Sequence, residues 1–428
     1  MDTETATRPG RASPPPVVPR LQVVFRDGAP VASAPVQLER GPLLLGRKPS
    51  GARQLLAFPE DPTQSRTHCT LRRDGDALLC IDQGSHNGTF VNGVRIDRAR
   101  LRDGDCLRIG DTFLVVRLGA VPPDVALPEL AGGAPSMAQL RSTLAKVAPT
   151  RAITVLLGES GVGKGTSARA LHRLSGRPGP LVSVNCAAIP DALAESTLFG
   201  HVRGAFTDAS TDQPGFFRAA HGGTLFIDEI GDLPAPLQPK LLHALEDGVV
   251  VPVGSTRPVP IDVRIVAATS ADLPAAVADK RFRGDLYARL AEFVLTVPPL
   301  RERPEDVLAL LERFLDPGLP PLSPDLVERL LAWHWPYNVR ELKNVATRLS
   351  VVGPGRDVLG PELVPTVERA QEETPSPATP SPDRERLEAL LVAHQGVVSD
   401  VARALGLSRR HVHRLLRKHE LAPDAYRG

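Results

Sequence analysis

Cysteine is scarce in this chain of 428 residues. The four present (Cys69, Cys80, Cys106 and Cys186) show no C-x-x-C or C-x-x-x-x-C spacing. Neither a disulfide framework nor a zinc site is expected, which fits a reducing cytosol and a cytoplasmic protein. Long apolar runs are also missing. None approaches the roughly 18 residues of a membrane span, so no membrane partner is expected. The first residues, Met1-Asp2-Thr3-Glu4, carry acid and no apolar stretch, which argues against a secretory leader. Charge of one sign is not in excess: 51 Lys+Arg face 49 Asp+Glu, a net +2. A protein that coats polyanions along its whole length is thereby excluded, and any nucleic-acid surface must be local. Lysine is rare, at seven against 44 arginines. Arginine is simply the default base here, so a lone arginine cluster says less than usual.

Proline is plentiful, at 43 residues. Its clusters divide the chain. Residues 1–20 read as a disordered Pro-rich leader, 120–135 as a linker and 367–382 as a second Pro-rich linker, extended segments that bury little. Three blocks remain, as a chain of this length suggests. Residues 21–119 carry short apolar runs separated by Asp27-Gly28, Asp74-Gly75, Asn92-Gly93 and Asp103-Gly104 turns, the pattern of an all-β sandwich. Residues 136–300 alternate buried-strand runs (Ile153–Leu157, Leu181–Val184, Leu225–Ile227, Val263–Ala267) with helical stretches, an α/β pattern. Residues 301–366 are helical by i, i+3, i+4 spacing, and so are residues 383–428.

The α/β block carries the chemistry. Gly158-Glu159-Ser160-Gly161-Val162-Gly163-Lys164 follows a strand and opens a helix, the setting of a phosphate-binding P-loop. Backbone N–H groups and the helix N-terminus cradle phosphate, and Lys164 adds a point charge for the β/γ oxygens. The usual Ser or Thr after the lysine is replaced by Gly165, with Thr166 one position later. A nucleotide with Mg²⁺ is the expected ligand. The strand Thr224–Ile227 ends in Asp228-Glu229. Asp228 is the candidate Mg²⁺ ligand, and Glu229 the group that polarises the attacking water. Forty residues separate Asn185 from Leu225, too many for one crossover helix, which predicts an inserted surface loop. Within it lies Gly204-Ala205-Phe206-Thr207-Asp208-Ala209, a phenylalanine among small residues that suggests a contact.

The runs Asn185-Cys186-Ala187-Ala188, Leu198–Thr207 and Gly222–Gly231 strongly resemble the AAA+ P-loop domain of NtrC-type enhancer-binding proteins, the activators of sigma-54 RNA polymerase. The resemblance covers about Ser136 to Thr366 and implies ATP as the nucleotide and a helical lid over 301–366. It implies that Asn185 holds the catalytic Glu229, that Thr269 and Ser270 belong to the first sensor (Ser270 where Asn is usual), and that Arg283 and Arg289 are arginine fingers. Fingers act on the neighbouring subunit, so a ring of self-associated chains, a hexamer, is implied. Arg340, in Trp335-Pro336-Tyr337-Asn338-Val339-Arg340-Glu341-Leu342, becomes the second sensor. The 204–209 loop becomes the sigma-54 contact, with Asp208 where the family has Gly.

The front block resembles a forkhead-associated (FHA) domain, a reader of phosphothreonine peptides, through Gly46-Arg47, Ser65-Arg66-Thr67-His68 and Asn87-Gly88-Thr89. The resemblance implies that Arg47, Ser65 and Arg66 take the phosphate and Asn87 the peptide backbone. A phosphothreonine-containing protein or a Ser/Thr kinase is then a partner. His68 is expected to brace the loop from within. The tail, with nine Lys/Arg against six Asp/Glu, resembles the Fis-type helix-turn-helix. Arg409 and Arg410 are placed at base edges of double-stranded DNA, Arg417 and Lys418 at phosphates, with His413 and Arg414 on the same open face. These readings give a sigma-54-dependent activator, a AAA+ ATPase under phosphopeptide control. Two alternatives stand beside it: an AAA+ remodeller of another protein, suggested by Asp208, and a DNA-binding regulator with an impaired ATPase, suggested by Gly165 and Ser270.

Overall fold

The computed structural model describes residues 18–74, 77–120, 122–207, 209–364 and 384–394, together with Val401, Leu416 and Leu421. The candidate DNA-contacting residues Arg409, Arg410, His413, Arg414, Arg417 and Lys418, and Asp208 of the 204–209 loop, lie outside them.

The front block is the β-sandwich expected. Its strands are β1 (Arg20–Arg26), β2 (Ala29–Pro30), β3 (Val36–Gln37), β4 (Leu43–Gly46), β5 (Gln54–Ala57), β6 (Cys69–Asp74), β7 (Ala77–Asp82), β8 (Thr89–Val91), β9 (Val94–Ile96), β10 (Arg98–Leu101), β11 (Cys106–Ile109) and β12 (Thr112–Arg117). One sheet runs β2-β1-β12-β11-β8-β9, with β3 also on β1; the other runs β10-β7-β6-β4-β5. Leu21, Leu43, Leu71, Leu78, Leu107, Leu114 and Val116 fill the space between them. The positive φ at Asp27 and Asn92 shows both turn pairs working as read. Strand β12 is unusual for a sandwich because all six of its residues are buried. Leu114 and Val116 face the core, so alternation sends Phe113, Val115 and Arg117 to the outer face. Something must cover that face.

The α/β block begins with α1 (Pro135–Val147) and β13 (Thr154–Leu157), then α2 (Lys164–Ser175), β14 (Leu181–Asn185), α3 (Asp191–Phe199), α4 (Gly215–Ala219) and β15 (Thr224–Asp228). It continues through α5 (Gln238–Asp247), the small ribbon β16 (Val249–Val250) and β17 (Val259–Pro260), then β18 (Arg264–Thr269), α6 (Leu273–Ala278), α7 (Gly284–Leu290) and β19 (Phe293–Thr296). The sheet order is β14-β15-β18-β13-β19, and every pairing is parallel. Alternate residues serve opposite faces. Val155, Leu225, Ile227, Ile265 and Ala267 join one core. Leu156, Phe226, Val266 and Ala268 join the other. Both faces are apolar, which is why the strands read as unbroken hydrophobic runs.

The lid comprises α8 (Pro304–Phe314), α9 (Pro324–Ala332) and α10 (Asn338–Val352). Pro at the first helical position starts α8 and α9, and the Ser323 hydroxyl accepts from Leu326 N to cap α9. Helix α8 packs between β1 of the sandwich and α10. The 120–135 segment departs from the buried-little expectation. Leu127 and Leu130 are buried. Arg141 clasps Asp124 with two hydrogen bonds of 2.7 and 2.6 Å. The two leucines, the Arg141 clasp and the bonds of Gly133 N and Ala134 N to Asp306 seat it. Beyond Val364, α11 (Arg384–Ala393) buries Leu387 and Leu391.

Candidate active site

Strand β13 delivers the chain to the P-loop, and α2 begins at Lys164. The backbone is left-handed at Gly161, where φ is +79°. A Cβ there would collide with the Tyr337 carbonyl, so glycine lets the loop lie against the lid. A cavity of about 640 Å³ opens beside it, lined by residues 160–166, Asp228, Glu229, Arg340 and Lys343, and by Glu129–Ala131 of the segment before α1.

Lys164 is 7% exposed. Its ammonium donates to the Gly158 carbonyl at 2.8 Å and stands 3.4 Å from Glu229 Oε1. The other Glu229 oxygen accepts from Ser270 N (3.0 Å) and Ser270 Oγ (3.1 Å). Burial works to raise the Glu229 carboxyl, but the Ser270 amide and Lys164 outweigh it and hold it below its ordinary value. Asp228 goes the other way: burial and the neighbouring Glu229 charge raise it. A cation beside Asp228 would offset both the burial and the Glu229 charge. Thr166, not Gly165, brings the hydroxyl to the cavity, where it accepts from Arg169 at 2.9 Å. Asn185 pairs in register with Asp228, and its side chain accepts from Ala187 N at 2.9 Å. Thr269 is buried, and its hydroxyl accepts from Ala271 N.

The lid meets the P-loop through residues that sequence reasoning passed over. Asn338 is fully buried with φ +53°. It accepts from Leu300 N at 2.7 Å and donates to Glu159 Oε2 and the Ser160 carbonyl, both at 3.1 Å. Arg301 forms a two-pronged pair with Glu159 at 2.8 and 2.6 Å and holds its carboxyl low. Arg340 donates to Ser160 Oγ at 3.1 Å. The signal for Asn338 was present in the quoted run around Arg340. For Arg301 there was none, given so many arginines. Tyr337 takes φ −110°, which needs no glycine, so it enters α10 without strain.

The two candidate fingers are tied to carboxylates of their own chain. Arg283 pairs with Asp285 at 2.6 Å and Arg289 with Glu292 at 2.5 Å. Phe206 stands 38% exposed on its loop, with its ring edge against His201 at 4.9 Å. The loop is closed by Gly204 N donating to the Ala209 carbonyl at 2.8 Å.

In the sandwich, Gly46 has φ +156°, and a Cβ there would stand 2.5 Å from the Arg66 carbonyl. This close approach lets Arg47 N donate to the Ser65 carbonyl and Lys48 N to that of Arg66, both at 2.9 Å. Arg47, Ser65, Arg66 and Asn87 are thereby gathered at one end, with Arg47, Arg66 and Asn87 exposed. Ser65 Oγ accepts from His86 N, and Asn87 donates to the Thr63 carbonyl. His68 is fully buried between Ser65 N and the Gly88 carbonyl, an internal brace.

A P-loop α/β domain with a helical lid, joined to a β-sandwich, defines the class. Residues 130–296 match the sigma-54 interaction domain, 301–380 the AAA+ ATPase lid domain, 43–110 the FHA domain, and 382–419 the bacterial regulatory protein, Fis family. The transcriptional regulatory protein GlrR of Escherichia coli (strain K12) is 40% identical over 305 residues, covering 68% of each chain. The putative uric acid sigma-54-dependent transcriptional regulator UacR of the same strain is 43% identical over 253 residues, 57% of this chain and 43% of UacR. The crystal structure of NtrX from Brucella abortus superposes with a TM-score of 0.52 at 33% identity, covering 68% of this chain and 70% of NtrX. The chain belongs to the family of sigma-54-dependent transcriptional regulators with a AAA+ domain. It spans less than half the length of UacR. Among the described residues, no helix is long and apolar enough to cross a membrane.

Proposed function

We propose that the chain is a sigma-54-dependent transcriptional activator that hydrolyses ATP in a ring of its own copies and opens the polymerase–promoter complex. The observation that carries this is the convergence of Lys164, Asp228 and Glu229 on the cavity between P-loop and lid, with Glu229 held by Ser270. NtrX of Brucella abortus has been crystallised with ADP and with ATP. By the same reading, ATP fills this cavity, its phosphates held by the 158–164 backbone and Lys164 and sensed by Thr269, Ser270 and Arg340.

Asp228 and Thr166 are the residues to hold Mg²⁺, and the raised proton affinity of Asp228 fits a group awaiting a cation. When bound, the ion draws charge from the phosphate oxygens. Glu229, ionised and oriented by Ser270, accepts the proton of the attacking water. Asn185, one strand over and in register with Asp228, gives up its Ala187 bond to restrain Glu229 between turnovers. Arg283 and Arg289 exchange their own carboxylates for the γ-phosphate on the adjoining subunit. The Phe206 loop passes the motion to sigma-54. The Fis-type tail holds an upstream DNA site, and a phosphothreonine peptide on Arg47, Ser65, Arg66 and Asn87 controls the ring.

Transcription in vitro with sigma-54 polymerase tests the reading. The wild type supports open-complex formation with ATP, and Lys164→Ala does not. Equal transcription from both proteins would refute it. A regulator with an impaired ATPase is the second reading, favoured by Gly165. It predicts no Lys164-dependent ATP turnover at any protein concentration.

A further inference from the structure

The outer face of β1 and β12 is covered by the nucleotide lid. Phe25 and Phe113 meet edge to face there at 5.9 Å, both fully buried. Arg117 of β12 reaches across the seam to Glu305 of α8, donating through Nε at 2.8 Å and through its second nitrogen as well. The Glu305 side chain has no exposed surface. The same guanidinium donates to the Glu302 carbonyl at 3.2 Å. Leu322, just before α9, donates to the Gly28 carbonyl at 3.3 Å. A second ion pair lies further along: Arg108 of β11 donates to Glu328 of α9 at 2.7 Å, with Asp325 at 3.6 Å. The Arg108 guanidinium is fixed over the rings of Phe90 (5.6 Å) and Phe113 (5.5 Å).

Arg108 is also the end of a continuous polar path from the phosphate-oriented loops. Asn87 donates to the Thr63 carbonyl at 2.7 Å. Thr63 and Gln64, the two residues before Ser65, both bond the buried Asp61, at 2.5 and 2.9 Å. Asp61 also accepts from Thr112 Oγ1 at 2.9 Å and Asp111 N at 3.0 Å, in the turn that joins β11 to β12. In the same turn the Gly110 carbonyl accepts from Arg108 Nε at 3.1 Å. On their other side the lid helices grip the P-loop. Arg303 donates to the Val162 carbonyl at 3.2 Å, and Val339 N to that of Gly161 at 3.1 Å.

We propose that the sandwich and the lid are one coupled device, in which occupancy at Arg47, Ser65 and Arg66 acts through Asp61 and Arg108 on Glu328 and changes nucleotide affinity. The proposal rests on the phosphopeptide reading of those residues and deepens it by naming the route. By linkage the effect is reciprocal: nucleotide changes phosphopeptide affinity by the same factor.

The test uses the full chain, mant-ATP, and a degenerate phosphothreonine peptide pool with its unphosphorylated counterpart. In the wild type, saturating phosphopeptide shifts the mant-ATP Kd by about fivefold or more, and mant-ATP shifts the peptide Kd by the same factor. Arg108→Ala binds both ligands but brings the factor to one. The charge exchange Arg108→Glu with Glu328→Arg restores at least part of it, which a variant that merely misfolded would not. Both ligands binding the wild type with no mutual effect, or full coupling surviving in Arg108→Ala, would overturn the proposal and leave the phosphopeptide reading standing. Failure of the phosphorylated pool to bind better than the unphosphorylated one would overturn both.

Discussion

Glu229 sits in a left-handed backbone at φ +49°, a conformation that costs a non-glycine residue about 1 kcal/mol or more. The surroundings that hold it there are the Ser270 amide and hydroxyl and Lys164. The short Ser270 hydroxyl reaches the carboxylate at 3.1 Å. Removing that one hydroxyl in Ser270→Ala leaves the backbone donor in place, and a hydrogen bond of about 1 kcal/mol corresponds to a loss of roughly fivefold in kcat. Steady-state ATPase assays read it directly, with KM unchanged. Asp306 gives a pH prediction at the same scale. It is buried beneath the segment before α1, accepting from Gly133 N (2.6 Å) and Ala134 N (3.0 Å). Burial, together with Glu305, raises its carboxyl to about 6, with Arg303 opposing. A carboxyl raised on folding favours the folded state while protonated. Its contribution is complete below about pH 4 and is lost as pH rises through 6. Thermal unfolding of the wild type minus that of Asp306→Asn should therefore show a difference that declines from pH 4 to 6 and is flat above 7. A difference independent of pH would contradict this.

At the scale of elements, the P-loop and α10 are held together by a backbone approach only glycine permits. In Gly161→Ala the new methyl group meets the Tyr337 carbonyl at a positive φ, and the lid must withdraw. About 1–3 kcal/mol of strain is expected. The affinity for mant-ADP should fall by about tenfold, and undiminished affinity would show that the lid does not close the site. This junction also shows what sequence can and cannot deliver. Strands β13, β15 and β18 were legible because burial on both faces leaves an unbroken apolar run, and the phosphate loop because its glycines and lysine have one characteristic spacing. Lys164, Asp228 and Glu229 were placed together on that basis. Asn338 and Arg301 were not, because their P-loop partners lie more than a hundred residues away and a single polar residue carries no periodicity. The packed segment around Leu127 and Leu130 was missed for a related reason. Proline content argues for an extended spacer, and the core that the two leucines join is drawn as much from α2 and the sheet as from the neighbouring α1. The all-buried β12 was the one overlooked clue to the seam with the lid: a sandwich strand with both faces apolar requires a second partner.

At the scale of the whole molecule, sheet geometry decides where the arginine fingers can work. Glu292, which holds Arg289, also accepts from Ile153 N at 2.9 Å, at the start of β13. The P-loop follows Leu157 at the other end of the same strand. Four residues of parallel strand span about 13 Å, so Arg289 and its own P-loop occupy opposite ends of the sheet. Arg289 cannot serve the phosphates bound by its own chain without unfolding β13. If it contributes to hydrolysis, it does so across a head-to-tail seam, where one subunit supplies Glu229 and the next supplies the arginine. Mixing two inactive proteins tests this. Glu229→Gln keeps the finger and loses the base; Arg289→Ala keeps the base and loses the finger. Each alone should lose turnover by about 10²-fold or more. In a one-to-one mixture, roughly a quarter of seams place an intact Glu229 opposite an intact Arg289. ATPase activity should therefore reappear on mixing and follow the square of total subunit concentration when dilute. Two fully inactive proteins that stay inactive together at every ratio would place the arginine outside the hydrolytic seam.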